Sequence, residues 1–168
     1  MLNLIDRLNE KIEIFEKYFI TYLMLIMSTV IFIQIIMRYV FNSSLSWSEE
    51  LAAYIMMYMT WVGASYGVKL NMHLRVTVIV DLLKGKLRDI AYIIIDVVWM
   101  IFSAYMVVMG IRVVKMSYAG YRVSPALEIP MFLIYSSVVI GCILMFLSLI
   151  SSIHKRYRDY KKLVGGEN

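Results

Sequence analysis

The chain has 168 residues, 61% of them hydrophobic, and carries a net charge of +5. Its mean hydropathy of +0.74 exceeds that of soluble domains, whose apolar share is about 45–50%. This composition predicts a single membrane domain over residues 1–168 with no separate soluble domain. The cations flank the apolar runs, as membrane topology requires, which argues against nucleic acid as a partner. The one cysteine, Cys142, excludes an intramolecular disulfide and a CxxC pair.

Four apolar runs dominate: Tyr18–Met37, Leu51–Val68, Ile90–Ile111 and Met131–Ile153. A hydrocarbon core about 30 Å thick is crossed by roughly 20 apolar residues in a helix. Inside lipid the backbone must bond to itself, so such runs are helical. The predicted fold is an all-α membrane protein with four transmembrane helices, over residues 18–39, 50–69, 90–112 and 130–153. An N-terminal amphipathic helix over 3–17 and a short interfacial helix complete it.

Ahead of the first run, Leu4, Ile5, Leu8, Ile12, Phe15 and Phe19 recur at helical spacing, with Asp6, Arg7, Glu10, Lys11, Glu13 and Lys17 on another face. This predicts a helix lying in the headgroup layer, or one clamped against a partner subunit. No small-residue cleavage site follows, so the first run reads as a retained anchor, and the acidic residues argue against an organelle transit peptide. Gln34, deep in that run, reads as an interhelical hydrogen-bonding residue.

The connection Asn42–Glu50 carries helix-start signals. Ser46 or Ser48 can cap the second helix, Glu49 and Glu50 follow in its first turn, and Trp47 suits the interface. Alternatively, one of the two glutamates meets a cation on a partner. Within the second helix Met56, Thr60, Gly63 and Gly67 share a stripe, and Gly63-Ala-Ser-Tyr-Gly67 matches GxxxG. Small residues of this kind let helix backbones approach closely, within the chain or on a partner. Met56, Met57 and Met59 read as gap fillers rather than metal ligands.

The stretch His73–Leu83 is too short to span and predicts a short interfacial helix or elbow ending at Gly85. Asp96 is the acid inside the third run. An intramembrane carboxylate is a functional-site hypothesis; the competing reading is a helix–helix hydrogen bond. In the last connection, Pro125 and Pro130 punctuate Tyr118–Pro130, and Pro130 suits the first turn of the fourth helix. The tail from His154 to Lys162 is basic and predicts contact with anionic headgroups, and residues 165–168 predict disorder.

Thirteen Lys and Arg lie in the N-terminal segment, the second connection and the tail, against four in the other two connections. The positive-inside rule then places both termini in the cytoplasm. There is no P-loop, HExxH, GxSxG or CxxC, no internal inverted repeat, and no histidine within a run. No enzyme and no cofactor are expected. A chain so poor in buried chemistry reads as a partner of another membrane protein.

Arg38-Tyr-Val-Phe-Asn-Ser-Ser-Leu-Ser-Trp-Ser-Glu-Glu-Leu resembles the signature of the small, Q-type membrane subunit of tripartite ATP-independent periplasmic (TRAP) transporters. Trp61-Val-Gly-Ala-Ser-Tyr-Gly, His73-Leu-Arg-Val, Asp81, and Ser124-Pro-Ala-Leu-Glu-Ile-Pro with Tyr135 and Gly141 continue the likeness in order. The resemblance implies a multi-pass scaffold subunit of the bacterial inner membrane in an unfused form. Its partners would be lipid, a large elevator-type sodium-coupled subunit, and a periplasmic protein that delivers a C4-dicarboxylate or sialic acid. On that reading Thr60, Trp61, Gly63, Gly67 and Asp96 are candidates for the subunit interface. Arg38, Glu49, Glu50, Arg122 and Glu128 are candidates for periplasmic docking, with Arg122 foremost. His73, Arg75 and Asp81 are candidates for a cytoplasmic interface. The rival reading is a homodimeric, proton-coupled exporter of four helices, with Asp96 as its proton site.

Overall fold

The structure is a computed structural model that describes the backbone of residues 2–70 and 86–165 and the side chains of residues 9–70 and 90–153. Four helices account for nearly all of it: α1 Leu2–Tyr39, α2 Ser46–Lys69, α3 Lys86–Ala119 and α4 Met131–Gly165. The extended pairing among the described residues is one isolated bridge, Val123 with Pro130.

The predicted amphipathic segment over residues 3–17 leads into the first span without a break. It continues into the first apolar run as one 38-residue helix. No Gly or Pro interrupts Leu2–Tyr39, so nothing breaks the hydrogen-bond ladder at the junction. The helix ends where Asn42 takes φ 49°, a left-handed conformation that asparagine tolerates better than most residues. The basic tail is likewise an extension of α4, which stays helical to Gly165. The predicted interfacial helix over 73–83 lies outside the described residues.

Three stretches are long and apolar enough to cross a membrane: Asn9–Tyr39, Ile90–Ala119 and Met131–Ile153. The sequence predicted four. At 24 residues α2 has the length, but its tyrosines, glycines, serines and Trp61 dilute its apolar character. The tertiary arrangement gives the reason. α2 packs against α1 on one side and α4 on the other, and α4 in turn packs against α3. The helices thus stand in a row, α1–α2–α4–α3, with α2 shielded by neighbours that take up its polar groups.

Connectivity makes α1 and α2 antiparallel, and α3 and α4 antiparallel; contacts at successive levels show the two central helices to be parallel. Tyr58 donates to the Leu133 carbonyl at 2.5 Å, Trp61 lies against Gly141, and Ser65 meets Ser148 at 3.3 Å. The tightest approach is Gly141, where a Cβ would lie 2.5 Å from the Cβ and 2.6 Å from the carbonyl carbon of Trp61. Only glycine admits that separation. Among the described residues, no close backbone approach is seen at Gly63 or Gly67: a Cβ at Gly63 would meet only Ile20, at 4.0 Å, and one at Gly67 would meet nothing within 4 Å.

A buried apolar cluster, Val68, Met145 and Leu149, is flanked by Ala64, Trp99 and Met100 and lies toward the Lys69 end of the row, and Ile55, Val62, Ile134 and Cys142 are buried as well. α1 contributes little to it. None of the most apolar stretch of α1 is buried, against 39% for α4. Tyr22, Leu25 and Phe32 are each about 60% exposed, so the α1 surface needs lipid or another protein to cover it.

Candidate functional site

The polar side chains gather at the two ends of the row, and each end ties separate helices together. At the Lys69 end, Lys69 Nζ lies 2.9 Å from Glu16 Oε2, with the two side chains 5% and 0% exposed. Ser65 donates to Glu16 Oε1 at 2.7 Å, and Ser65 and Ser148 are paired. The cluster joins α1, α2 and α4. Both carboxylate oxygens have donors, the condition under which a buried charge is tolerable. In the α3–α4 hairpin a second buried carboxylate sits at the same end: Ser152 donates to Asp96 Oδ2 at 3.4 Å, and Asp96 is 4% exposed. Asp96 therefore makes a helix–helix hydrogen bond.

At the opposite end, Gln34 of α1 donates to Glu49 Oε1 of α2 at 2.9 Å, the interhelical role expected of Gln34. Glu50 reaches the connection between α3 and α4. Its Oε2 accepts the amides of Ala126 at 2.8 Å and Leu127 at 3.0 Å, while Tyr54 donates its hydroxyl proton to Oε1. Tyr54 also touches Met131 Sδ at 3.8 Å. The connection is closed by its own bonds as well. The Ser124 amide donates to the Ile129 carbonyl at 2.9 Å and the Met131 amide to the Arg122 carbonyl at 2.9 Å. The Ile129 amide donates to Ser124 Oγ at 3.3 Å, and Ser124 is 1% exposed.

α3 enters this connection through a Schellman turn. The Arg122 amide donates to the Ser117 carbonyl and the Tyr121 amide to the Tyr118 carbonyl. Tyr121, at φ 45°, occupies the position glycine usually takes. Tyr118 meets Phe132 edge to face at 5.4 Å, fastening the turn to α4.

The capping role expected of Ser46 or Ser48 is corrected. Leu45 is the N-cap, with no side-chain cap bond, and Ser48 instead donates back to the Leu45 carbonyl at 2.7 Å. Glu50, read from sequence as a first-turn anion or a docking group, spends both oxygens inside the chain. Arg38, Glu49, Arg122 and Glu128 are exposed at the Glu50 end. Thr60 is exposed, with its hydroxyl bonded to the Met56 carbonyl at 2.8 Å; Gly63, Gly67 and Trp61 are half-buried. His73, Arg75 and Asp81 lie outside the described residues.

Glu16, Lys69 and Ser148 bond between helices, and Gly141 meets the Trp61 main chain, yet sequence patterning did not single these four out as contact residues. One signal was present. Glu16 is four residues from both Ile12 and Ile20 and next to Phe15, so it sits by the apolar stripe and away from the charged one. Among the described residues no group of three or more His, Cys, Asp or Glu is placed to hold a metal ion.

Residues 27–159 match the family model described as Tripartite ATP-independent periplasmic transporters, DctQ component. The chain is 32% identical over 85 residues to the C4-dicarboxylate TRAP transporter small permease protein DctQ of Vibrio cholerae, covering 51% of this chain and 37% of that protein. It is 26% identical over 150 residues to the isethionate TRAP transporter permease protein DctMQ of Oleidesulfovibrio alaskensis, covering 86% of this chain and 24% of that one. A putative TRAP transporter small permease protein of Haemophilus influenzae is 29% identical over 126 residues, 75% of this chain and 77% of that protein. The chain thus spans well under half the length of the first two relatives. With a family match across most of its length, on an all-helical row carrying three stretches long and apolar enough to cross a membrane, the chain belongs to the DctQ family of TRAP transporter small permease components.

Proposed function

We propose that the chain is the scaffold subunit of a sodium-coupled TRAP importer of organic acids, seated beside a large membrane subunit that holds the substrate and sodium sites. The observation that carries this reading is where the polar groups go. Glu16, Lys69, Glu50, Gln34 and Glu49 all bond between helices or to a connection of this chain, which holds the row together and equips it poorly to bind a moving ion. Relatives named for C4-dicarboxylate and isethionate support a small organic anion as the transported class. The DctMQ relative, of which this chain matches only 24%, supports a larger membrane partner. The uncovered apolar face of α1 suits lipid or that partner.

In the bacterial inner membrane α2 makes the fourth crossing, both termini are cytoplasmic, and the Glu50 end faces the periplasm, a reading the charge distribution supports. A periplasmic binding protein then meets the exposed Arg38, Glu49, Arg122 and Glu128. Charges at such a rim steer encounter and are screened by salt. Arg122→Glu should raise the concentration of loaded binding protein needed for half-maximal uptake, at low salt and with the complex intact. An unchanged concentration dependence would remove docking from this subunit.

A further inference from the structure

Glu50 sits in the second turn of α2, yet its strongest partners are 76 and 77 residues away. The stretch around them, residues 122–130, is the connection that exposes Arg122 and Glu128. Its base is closed by its own hydrogen bonds, from Met131 to Arg122 and from Ser124 to Ile129. Those bonds do not use the tip amides of Ala126 and Leu127. Glu50 accepts both of them on one carboxylate oxygen, while Tyr54 occupies the other. Next in the chain, Glu128 is held at φ 52°, a conformation that a residue with a Cβ leaves readily once its surroundings stop imposing it. Among the described residues, the carboxylate is thus the group of another helix that bonds the tip amides.

We infer that Glu50 is a positioning residue for docking: it holds the 122–130 connection in the shape that presents Arg122 and Glu128 to the binding protein, without contacting that protein itself. The inference rests on the docking reading given above. Both oxygens of Glu50 are committed inside the chain, so its effect on docking runs through the connection. Charge-assisted bonds to consecutive amides are among the stronger hydrogen bonds in proteins, and their loss frees the tip while the backbone bonds of the base remain.

The test uses the purified membrane complex with its binding protein and compares Glu50→Ala, Glu50→Gln and Arg122→Glu. In Glu50→Ala, hydrogen exchange at the Ala126 and Leu127 amides should quicken by about tenfold, the scale of one lost charged hydrogen bond. The concentration of loaded binding protein for half-maximal uptake should rise about threefold to tenfold, with the maximal rate at saturating binding protein retained. Glu50→Gln keeps an acceptor oxygen and should fall between wild type and alanine on both readouts; it also serves should the alanine variant fail to assemble. A role confined to complex stability would lower yield and maximal rate without that split. Unchanged exchange at both amides in Glu50→Ala overturns the inference. Faster exchange with an unchanged concentration dependence, while Arg122→Glu shifts it, also overturns the inference but leaves docking standing. No shift in Arg122→Glu either would bring down the docking reading itself.

Discussion

Gly141→Ala probes the contact on which the order of the row depends. The added methyl would sit 2.5 Å from Trp61 Cβ, 2.6 Å from its carbonyl carbon and 2.7 Å from its carbonyl oxygen. Carbon atoms rest about 3.5–4.0 Å apart, so α2 and α4 must separate by about 1 Å. Two of the three blocking atoms are main chain and cannot rotate away. Overpacking of this kind costs about 1–3 kcal/mol, and main-chain obstruction puts Gly141 near the upper figure. Replacing a helical glycine by alanine returns about 1 kcal/mol, so the net loss should be about 2 kcal/mol. Gly67→Ala is the matched control. Its methyl meets nothing within 4 Å, and the purified chain should be as stable as wild type or slightly more so. Thermal unfolding in detergent reads both. Equal stability for Gly141→Ala and wild type, or a clear loss in Gly67→Ala, would refute the described packing of α2 on α4. The same pair separates internal packing from assembly: Gly67→Leu should lower the yield of the complex with the large subunit only if the Gly63–Gly67 stripe faces that subunit.

Lys69→Met leaves the fully buried Glu16 carboxylate without its cation and should cost about 3–5 kcal/mol, whereas the double variant with Glu16→Met should recover most of that loss. A detergent double-mutant cycle with no coupling would contradict the buried pair. Asp96→Asn keeps an acceptor for Ser152 and should retain most sodium-driven uptake in proteoliposomes; lost transport with an intact complex would make Asp96 an ion or proton site and overturn the scaffold reading. Topology reporters fused after Ser44 and after Ser124 should read periplasmic, and one after Gly85 cytoplasmic; the inverse pattern would reverse the orientation.

Hydropathy and periodicity were enough to place the helices, because partition between lipid and water depends on local composition. Three of the four apolar runs lie in helices long and apolar enough to cross a membrane. The polar role of Gln34 was also legible, since a lone amide in an apolar run needs a partner wherever it points. A change from amphipathic to apolar faces does not break a helix that lacks Gly and Pro, so α1 runs through the expected junction. The choice among small residues depended on which helices are neighbours and how each is rotated. The GxxxG pattern marked Gly63 and Gly67, yet the parallel packing of α2 on α4 brought Gly141 against Trp61. Partners far apart in the chain were equally hidden. Glu16 finds Lys69 across 53 residues, and Glu50 finds Ala126 across 76. A carboxylate in sequence shows only that a donor is needed; the row order α1–α2–α4–α3 decides which donor comes within reach.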